Sequence, residues 1–458
     1  MDATTYTARR EVLRKSVPGG AILIMGNDEA PKNYVDNVYP FRQDSHFLYY
    51  AGVSHAGLAL LIEPDGSQVL YGTPDHPDDV IWHGPHPTLG DHAGAAGIAD
   101  SVGIGDLGSR LTAIREAGAV IHYLPPYRAE RSFSLGALLG VDPREVEGGI
   151  SAELVAAVAT QRSIKEEAEI AEMEDALSVT AKMYRATMRS AEPGRTEAEV
   201  VAIHRAAAAA SDRQQAFNPI VTVCGDVLHN TSYANTLEEG DLLLVDSGAE
   251  SPGFYASDIT RTMPVTGKFT SQQRDIYEVV LAANQAAIDA AVPGVTNREL
   301  HLLAARTITE GLKDIGVMKG NVDRAVEAGA HALFFVHGLG HMIGLDVHDM
   351  EDLGDIIGYE PGEERSSQFG LAALRLARKL EPGFVITIEP GIYFIAALIE
   401  RWQGEGRCKG YIRYEKLDDY CGLGGVRIED DVLITDDGHR VLGPPIPKTV
   451  DDIETAMA

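Results

Sequence analysis

Two carboxylates in this chain follow runs that read as buried strands, Asp246 after the apolar residues 242–245 and Glu389 after residues 384–388. Burying a carboxylate costs several kcal/mol unless a cation or hydrogen-bond donors compensate it. Asp258 lies in the strand-like stretch Tyr255-Ala-Ser-Asp-Ile-Thr-Arg-Thr262, bounded by glycines, and Glu429 lies in Gly425-Val-Arg-Ile-Glu-Asp-Asp-Val-Leu-Ile434. In the second stretch, alternation puts Val426 and Ile428 on one face and Arg427 and Glu429 on the other. Four acids at buried strand positions call for positive charge.

The histidines indicate where that charge comes from. His337-Gly-Leu-Gly-His341-Met-Ile-Gly-Leu-Asp-Val-His348-Asp349 is too glycine-rich for a plain helix or strand. A lone histidine is usually a hydrogen-bonded core residue. Three within twelve residues, among glycines that let backbone come close, reverse that weighting. His229, in Cys224-Gly-Asp-Val-Leu-His229-Asn230, sits in a loop ahead of the Asp246 strand. Four carboxylates with one imidazole form a hard, oxygen-rich donor set, which favours a pair of manganese, cobalt or zinc ions over a single structural zinc. Two divalent ions about 3.5–4 Å apart can share a water, lower its pKa and polarise a carbonyl. At least one acid would then bridge both ions, and a histidine would stand ready for the oxyanion or the leaving amine.

These residues must be positioned by a duplicated scaffold. Pro193-Gly194-Arg-Thr196-Glu-Ala-Glu199 recurs as Pro293-Gly294-Val-Thr296-Asn-Arg-Glu299, and in each copy the Thr and the Glu three residues on predict a helix-opening capping box. Glu239-Gly240-Asp-Leu-Leu-Leu-Val-Asp246 matches Pro382-Gly383-Phe-Val-Ile-Thr-Ile-Glu389, with a carboxylate six residues after each glycine. The order of elements is the same in both copies, so two pseudo-symmetric αβ halves are expected to face each other across a shared cleft. Ahead of them, residues 21–25, 58–62 and 68–71 read as strands, the last two joined by the turn Glu63-Pro-Asp-Gly66. Residues 152–162 and 165–189 read as helices, and the domain boundary is placed at 158/159.

The chain has 458 residues, enough for two or three domains with sizeable cores. Its net charge of −29 repels phosphate backbones and anionic lipid, which argues against nucleic-acid and membrane partners and is read as a highly solvated surface. Residues 1–16 carry no apolar signal-peptide core, and the apolar run 384–399 is too short and too polar to span a bilayer. Three cysteines without CxxC spacing argue for a reducing compartment, expected to be the cytoplasm.

The set Asp246, Asp258, His341, Glu389 and Glu429 resembles the five-ligand motif of the pita-bread metallopeptidases, which include methionine aminopeptidase, aminopeptidase P and prolidase (Xaa-Pro dipeptidase). The resemblance spans residues 190–458. Phe41-Arg-Gln-Asp-Ser45 and Ile81-Trp82-His83-Gly84 resemble the N-terminal domain of the aminopeptidase P and prolidase branch, which methionine aminopeptidases lack. It implies an α+β architecture, with an N-terminal α/β domain at 1–158 and a catalytic pita-bread domain at 159–458. It also implies two divalent ions, most simply manganese with cobalt or zinc as alternatives, small proline-containing peptides as substrates, and a homodimer or tetramer. Asp246 would bind one ion through both oxygens, and Asp258 and Glu429 would bridge the two. His341 and Glu389 would complete the other ion, with Glu389 also the base for the shared water. His229 would stabilise the tetrahedral intermediate or pass a proton, His348 would contact substrate near the proline, and His337 would line the site. Arg427 would hold a ligand carboxylate. Two departures stand out. The Asp246–Asp258 spacing of twelve is one more than the family's, implying an enlarged turn at Ser251-Pro252-Gly253, and residues 359–379 and 396–423 are extra relative to compact members.

Within the branch, a dipeptidase must recognise a free carboxylate just after proline, and arginine is the usual clamp. Leu374-Arg375-Leu-Ala-Arg378 resembles prolidases, with Arg375 in the carboxylate-binding position, although both arginines could instead form a solvated helix face. The preferred expectation is an Xaa-Pro dipeptidase; the alternative is an Xaa-Pro aminopeptidase. A non-catalytic binding module or a metal-free amidinohydrolase on the same fold is disfavoured because all five ligand positions are kept. Organophosphate hydrolysis stays open as a side activity.

Overall fold

The computed structural model describes residues 1–458 apart from Asp75 and Pro77, with the backbone alone at His83. The chain forms two compact units, Met1–Arg162 with Asp352–Gly354, and Ser163–Glu351 with Asp355–Ala458. The units part at Arg162, beyond the expected 158/159, because the helix Ala152–Ser163 runs through that point. Its last turn is tied to the first unit: Gln161 Nε2 donates to the Arg9 carbonyl at 3.1 Å, and Arg162 Nη1 lies 2.7 Å from His46 Nδ1. His46 Nε2 is 3.3 Å from Asp352 Oδ2, which explains why that short segment joins the first unit.

The first unit runs α1 (Ala3–Ser16), β1 (Gly20–Met25), α2 (Ser45–Ala51), β2 (Ala59–Ile62), β3 (Gln68–Gly72), α3 (Asp79–His83), α4 (Leu89–Ala95), β4 (Asp100–Gly103), α5 (Leu107–Glu116), β5 (Val120–Tyr123), α6 (Ala129–Leu139) and α7 (Ala152–Ser163). Its sheet has the order β4-β3-β2-β1-β5, with β2 antiparallel to both neighbours and the outer pairings parallel. The three predicted strands are present. Leu23, Leu61, Leu111, Ile114 and Leu135 pack one face of the sheet against α5 and α6. Phe41-Arg-Gln-Asp-Ser45 has a structural explanation: Gln43 Oε1 accepts from the amides of Asn27 and Asp44, and Asp44 caps α2.

The second unit opens with α8 (Glu167–Met188), α9 (Glu197–Ala209), β6 (Ile220–Thr222), β7 (Leu242–Ser247), β8 (Ile259–Pro264), α10 (Ser271–Ala290), α11 (Asn297–Asp314) and α12 (Val322–Glu327). It continues with β9 (Val385–Ile388), β10 (Gly391–Tyr393), α13 (Ala396–Glu405), β11 (Gly425–Arg427), β12 (Asp430–Ile434), β13 (His439–Val441) and α14 (Val450–Met457). The duplication holds at the level of single hydrogen bonds. Thr196 and Thr296 both cap their helices in capping boxes, with Glu199 and Glu299 as partners. Gly194 donates to the Leu237 carbonyl as Gly294 donates to that of Leu380, and Leu237 donates to Arg195 as Leu380 donates to Val295. Gly240 (φ 94°) and Gly383 (φ 90°) both take the left-handed turn that feeds the strands β7 and β9.

Each half carries a three-stranded sheet, β6-β7-β8 and β13-β12-β9. No helix among the described residues is long and apolar enough to cross a membrane, and Cys224, Cys408 and Cys421 are free thiols.

Candidate active site

β7 and β8 form one hairpin whose register carries Asp246 opposite Thr260. The same register continues through the Glu250–Ala256 bridge and closes at Ser251–Tyr255, with Phe254 in the left-handed region (φ 66°). The turn is therefore extended, as the spacing of twelve implied. Asp258 lies two residues from Thr260, the cross-strand partner of Asp246, so Asp246 and Asp258 point to the same face.

The acids do not all lie within strands. Asp246 is inside β7, but Asp258 precedes β8, Glu389 follows β9, and Glu429 sits between β11 and β12. Pro390 explains the break around Glu389, since it has no N–H for a ladder. The Glu389 amide turns instead to the Leu339 carbonyl (2.8 Å), and the Glu429 amide to the Thr260 carbonyl (3.1 Å). This second bond joins the two halves, and side chains reinforce it. Thr260 Oγ1 donates to Glu429 Oε2 at 2.6 Å, and Asp431 Oδ2 accepts the Asp258 amide at 3.1 Å. Both faces of 425–429 are buried, so the alternation places Arg427 and Glu429 toward the site rather than toward solvent.

The glycine-rich histidine segment is irregular, as expected. Gly340 packs so closely that a Cβ there would meet the Thr387 carbonyl oxygen at 1.9 Å. That approach allows His341 and Thr387 to exchange bonds: the Thr387 amide donates to the His341 carbonyl, and the His341 amide to Thr387 Oγ1. His341 Nδ1 donates to the Met342 carbonyl at 3.0 Å, which leaves the Nε2 lone pair facing Asp258 Oδ2 (3.5 Å) and Glu389 Oε1 (3.6 Å). The loop beyond is anchored by the buried pair Lys165 Nζ–Asp349 Oδ2 at 2.9 Å.

All ten residues expected at the site line one cavity of about 490 Å³: Asp246, Asp258, His341, Glu389, Glu429, His229, His337, His348, Arg375 and Arg427. Phe217, Asn218, Leu228 and Val347 contribute the apolar and amide part of its wall. Arg375 is on an irregular segment following the turn Leu371–Ala373, so it is not part of a helix face, although its side chain is exposed as the solvated reading had it. Its flanking residues Leu374 and Leu376 are buried, which holds the intervening arginine at the cavity.

The electrostatics disfavour three bare carboxylates here and suit a site that holds cations. Burial, and after it Glu429 and Asp246, holds the Asp258 carboxyl well above the usual range. Burial followed by Glu389 and Asp246 does the same to Glu429, and burial pushes Glu389 up to about 8. Asp246 Oδ1 and Asp258 Oδ1 are buried with no hydrogen-bond partner. Asp258, His341 and Glu429 each offer a ligand atom within 4.8 Å of the others. Buried orphan oxygens beside a free imidazole lone pair match a hard divalent-ion site.

Arg427, Tyr393 and Thr260 complete the wall. Arg427 Nη2 donates to Asp246 Oδ2 (2.5 Å), its Nη1 to Tyr393 Oη (2.8 Å) and its Nε to Thr260 Oγ1 (3.1 Å). Tyr393 Oη in turn lies 2.8 Å from His337 Nε2, while His337 Nδ1 bonds the Gly338 carbonyl. Burial pulls His337 down to about 3 and His341 to about 4, so both rings are neutral near pH 7. Tyr393 and Thr260 escaped the sequence reading; the one available signal was that Thr260 alternates with Asp258.

Fold and site together define the class, a metal-dependent hydrolase built on two duplicated halves. The chain belongs to metallopeptidase family M24, which its residues 171–436 match, and residues 6–122 match the aminopeptidase P N-terminal domain. Divalent-metal binding comes with that membership. Human Xaa-Pro dipeptidase is 32% identical, with 98% of this chain and 91% of the relative covered. An Xaa-Pro aminopeptidase of Haemophilus influenzae is 31% identical, with coverages of 98% and 96%. Among solved structures, Escherichia coli aminopeptidase P, as a glutamate-to-alanine variant in complex with substrate, superposes with a TM-score of 0.83 at 27% identity, covering 100% of this chain and 98% of that one. Aminopeptidase PepP of Pseudomonas aeruginosa gives 0.81 at 29%, with the same coverages. The α+β architecture, an N-terminal α/β unit and a two-half pita-bread unit, is the one these neighbours share.

Proposed function

We propose that this protein hydrolyses the Xaa-Pro bond of small peptides, acting as an Xaa-Pro dipeptidase. The observation that carries this reading is the convergence of four carboxylates, one free imidazole nitrogen and Arg375 on a single cavity. Asp246, Asp258, His341, Glu389 and Glu429 would hold two divalent ions, manganese first and cobalt or zinc as alternatives, which when bound supply Lewis acidity for the carbonyl and an acidified water. Glu389 would accept the proton of the attacking water. His229, exposed at the cavity, would donate toward the oxygen of the tetrahedral intermediate. His348 and His337 would bound the proline pocket, and Arg427 would hold Asp246 in place through their hydrogen bond. Arg375 would take the substrate's terminal carboxylate.

A second reading, Xaa-Pro aminopeptidase, is supported by relatives of that name at nearly the same identity as the dipeptidases. Hydrolysis of Gly-Pro and Gly-Pro-Pro by manganese-loaded enzyme, with a chelated control, tests both. Cleavage of the dipeptide alone supports the dipeptidase, and preference for the tripeptide supports the aminopeptidase. No metal-dependent cleavage of either would refute both. The free thiols support a reducing compartment such as the cytoplasm, and a homodimer or tetramer is the expected assembly, checked by light scattering.

A further inference from the structure

Arg375 is not a free clamp. Its Nη1 makes a short ion pair with Glu351 Oε1, and the other oxygen of the same carboxylate accepts from His348 Nδ1 at 2.7 Å. The Glu351 amide also donates to the His348 carbonyl at 3.3 Å. One carboxylate thus bridges two cavity-lining side chains, from opposite oxygens, without lining the cavity itself.

We infer that Glu351 is a specificity-determining residue, a resident carboxylate that occupies Arg375 and weakens the site's preference for a free carboxylate directly after proline. This rests on the proposed Xaa-Pro reading and deepens it. The physical reason is competition. A dipeptide brings its own carboxylate to Arg375 and meets an arginine already neutralised, so it gains less than it would from an unpaired guanidinium. Glu351 and Arg375 are about half exposed (side-chain exposures 48% and 40%), so their pair is screened and exchangeable rather than a buried lock. Peptides extended beyond proline place an amide at this point and need no exchange. A site arranged this way accepts both substrate classes, with the balance set by the Glu351 charge.

The test is the ratio of kcat/KM for Gly-Pro to that for Gly-Pro-NH2, measured in the manganese-loaded wild type and in the Glu351→Gln, Arg375→Leu and doubly substituted enzymes. Any loss caused by a displaced His348 affects both substrates and cancels in the ratio. Glu351→Gln keeps the shape and a hydrogen-bond acceptor but removes the charge, and is expected to raise the ratio about tenfold, chiefly through a lower KM for the dipeptide. In the Arg375→Leu background the same substitution should leave the ratio where Arg375→Leu alone puts it. A ratio that is unchanged or falls in Glu351→Gln overturns the inference, a fall meaning that Glu351 orients Arg375 for substrate. A ratio that rises equally without Arg375 overturns it as well. Wild-type enzyme that cleaves neither substrate refutes the Xaa-Pro reading and this inference with it, whereas active wild type with an unmoved ratio refutes the inference alone.

Discussion

Glu389 and Glu429 stand at matching positions of one antiparallel ribbon, between the paired residues Ile388–Asp430 on one side and Gly391–Arg427 on the other. Two acids that a regular ladder would place side by side are thus set where the ladder is interrupted at Pro390. Like charges directly opposite are destabilising in a sheet, so cations between the halves would favour the arrangement with both acids ionised.

Metal removal should therefore show in stability as well as in activity. Chelated enzyme is expected to lose peptidase activity and melt at lower temperature, and manganese at a hundredfold over its Kd should restore about 2.7 kcal/mol. Glu429→Gln removes one of the repelling charges, so its chelated form should melt higher than chelated wild type while its gain from manganese shrinks. Melting temperatures indifferent to both chelator and manganese would sink the five-ligand assignment.

Arg427 serves Asp246, Tyr393 and Thr260 at once through the fork of its guanidinium. Lysine keeps the charge but cannot span three directions. Arg427→Lys is expected to lower manganese affinity and kcat/KM by roughly 10–100-fold, as changes to residues that orient metal ligands commonly do. Calorimetric titration with manganese reads the first quantity; near-wild-type affinity would show that charge alone matters here.

Arg375→Ala should weaken dipeptide cleavage selectively. A charge-assisted hydrogen bond is worth about 1.5–3 kcal/mol, and the pairing with Glu351 keeps this one at the lower end, so kcat/KM for Gly-Pro should fall roughly tenfold while longer peptides lose less. Equal losses on dipeptides and longer peptides would remove Arg375 as the carboxylate clamp.

His204 lies in the core of the first half, its Nδ1 2.8 Å from Thr187 Oγ1 and its ring edge-on to Tyr184. Burial first, then Arg205, pulls it down to about 4. The unfolded chain takes up this proton near the ordinary histidine pKa of about 6.5, so the unfolded state binds more protons between those two values. The stability associated with the neutral ring is fully present above about pH 6.5 and is lost as pH falls toward 4, on the order of 3 kcal/mol in total. Urea unfolding at pH 7 and pH 5 captures about 2 kcal/mol of it. His204→Gln should flatten that pH dependence whatever it does to stability at pH 7, and an unaltered slope would show that other groups carry it.

The sequence by itself pointed to the proposed ligand set and determined the duplication, because both leave local marks. Asp246 and Glu389 each follow an apolar run six residues after a turn glycine, Thr196 and Thr296 announce their helices through a glutamate three residues on, and the histidines cluster among glycines that permit close packing. Only the tertiary structure decided what those residues touch. Thr260 meets Glu429 from 169 positions away and Asp246 meets Arg427 from 181, and contacts across such separations leave no periodicity in the chain. Glu351 reads as one more acid in a highly charged sequence, since nothing in its neighbours announces the fold that lays it between His348 and Arg375. The chemistry is written in residue types at strand ends, where burial makes a charge conspicuous. The choice among substrates depends on half-exposed side chains, whose partners are set by the packing of segments far apart in the chain.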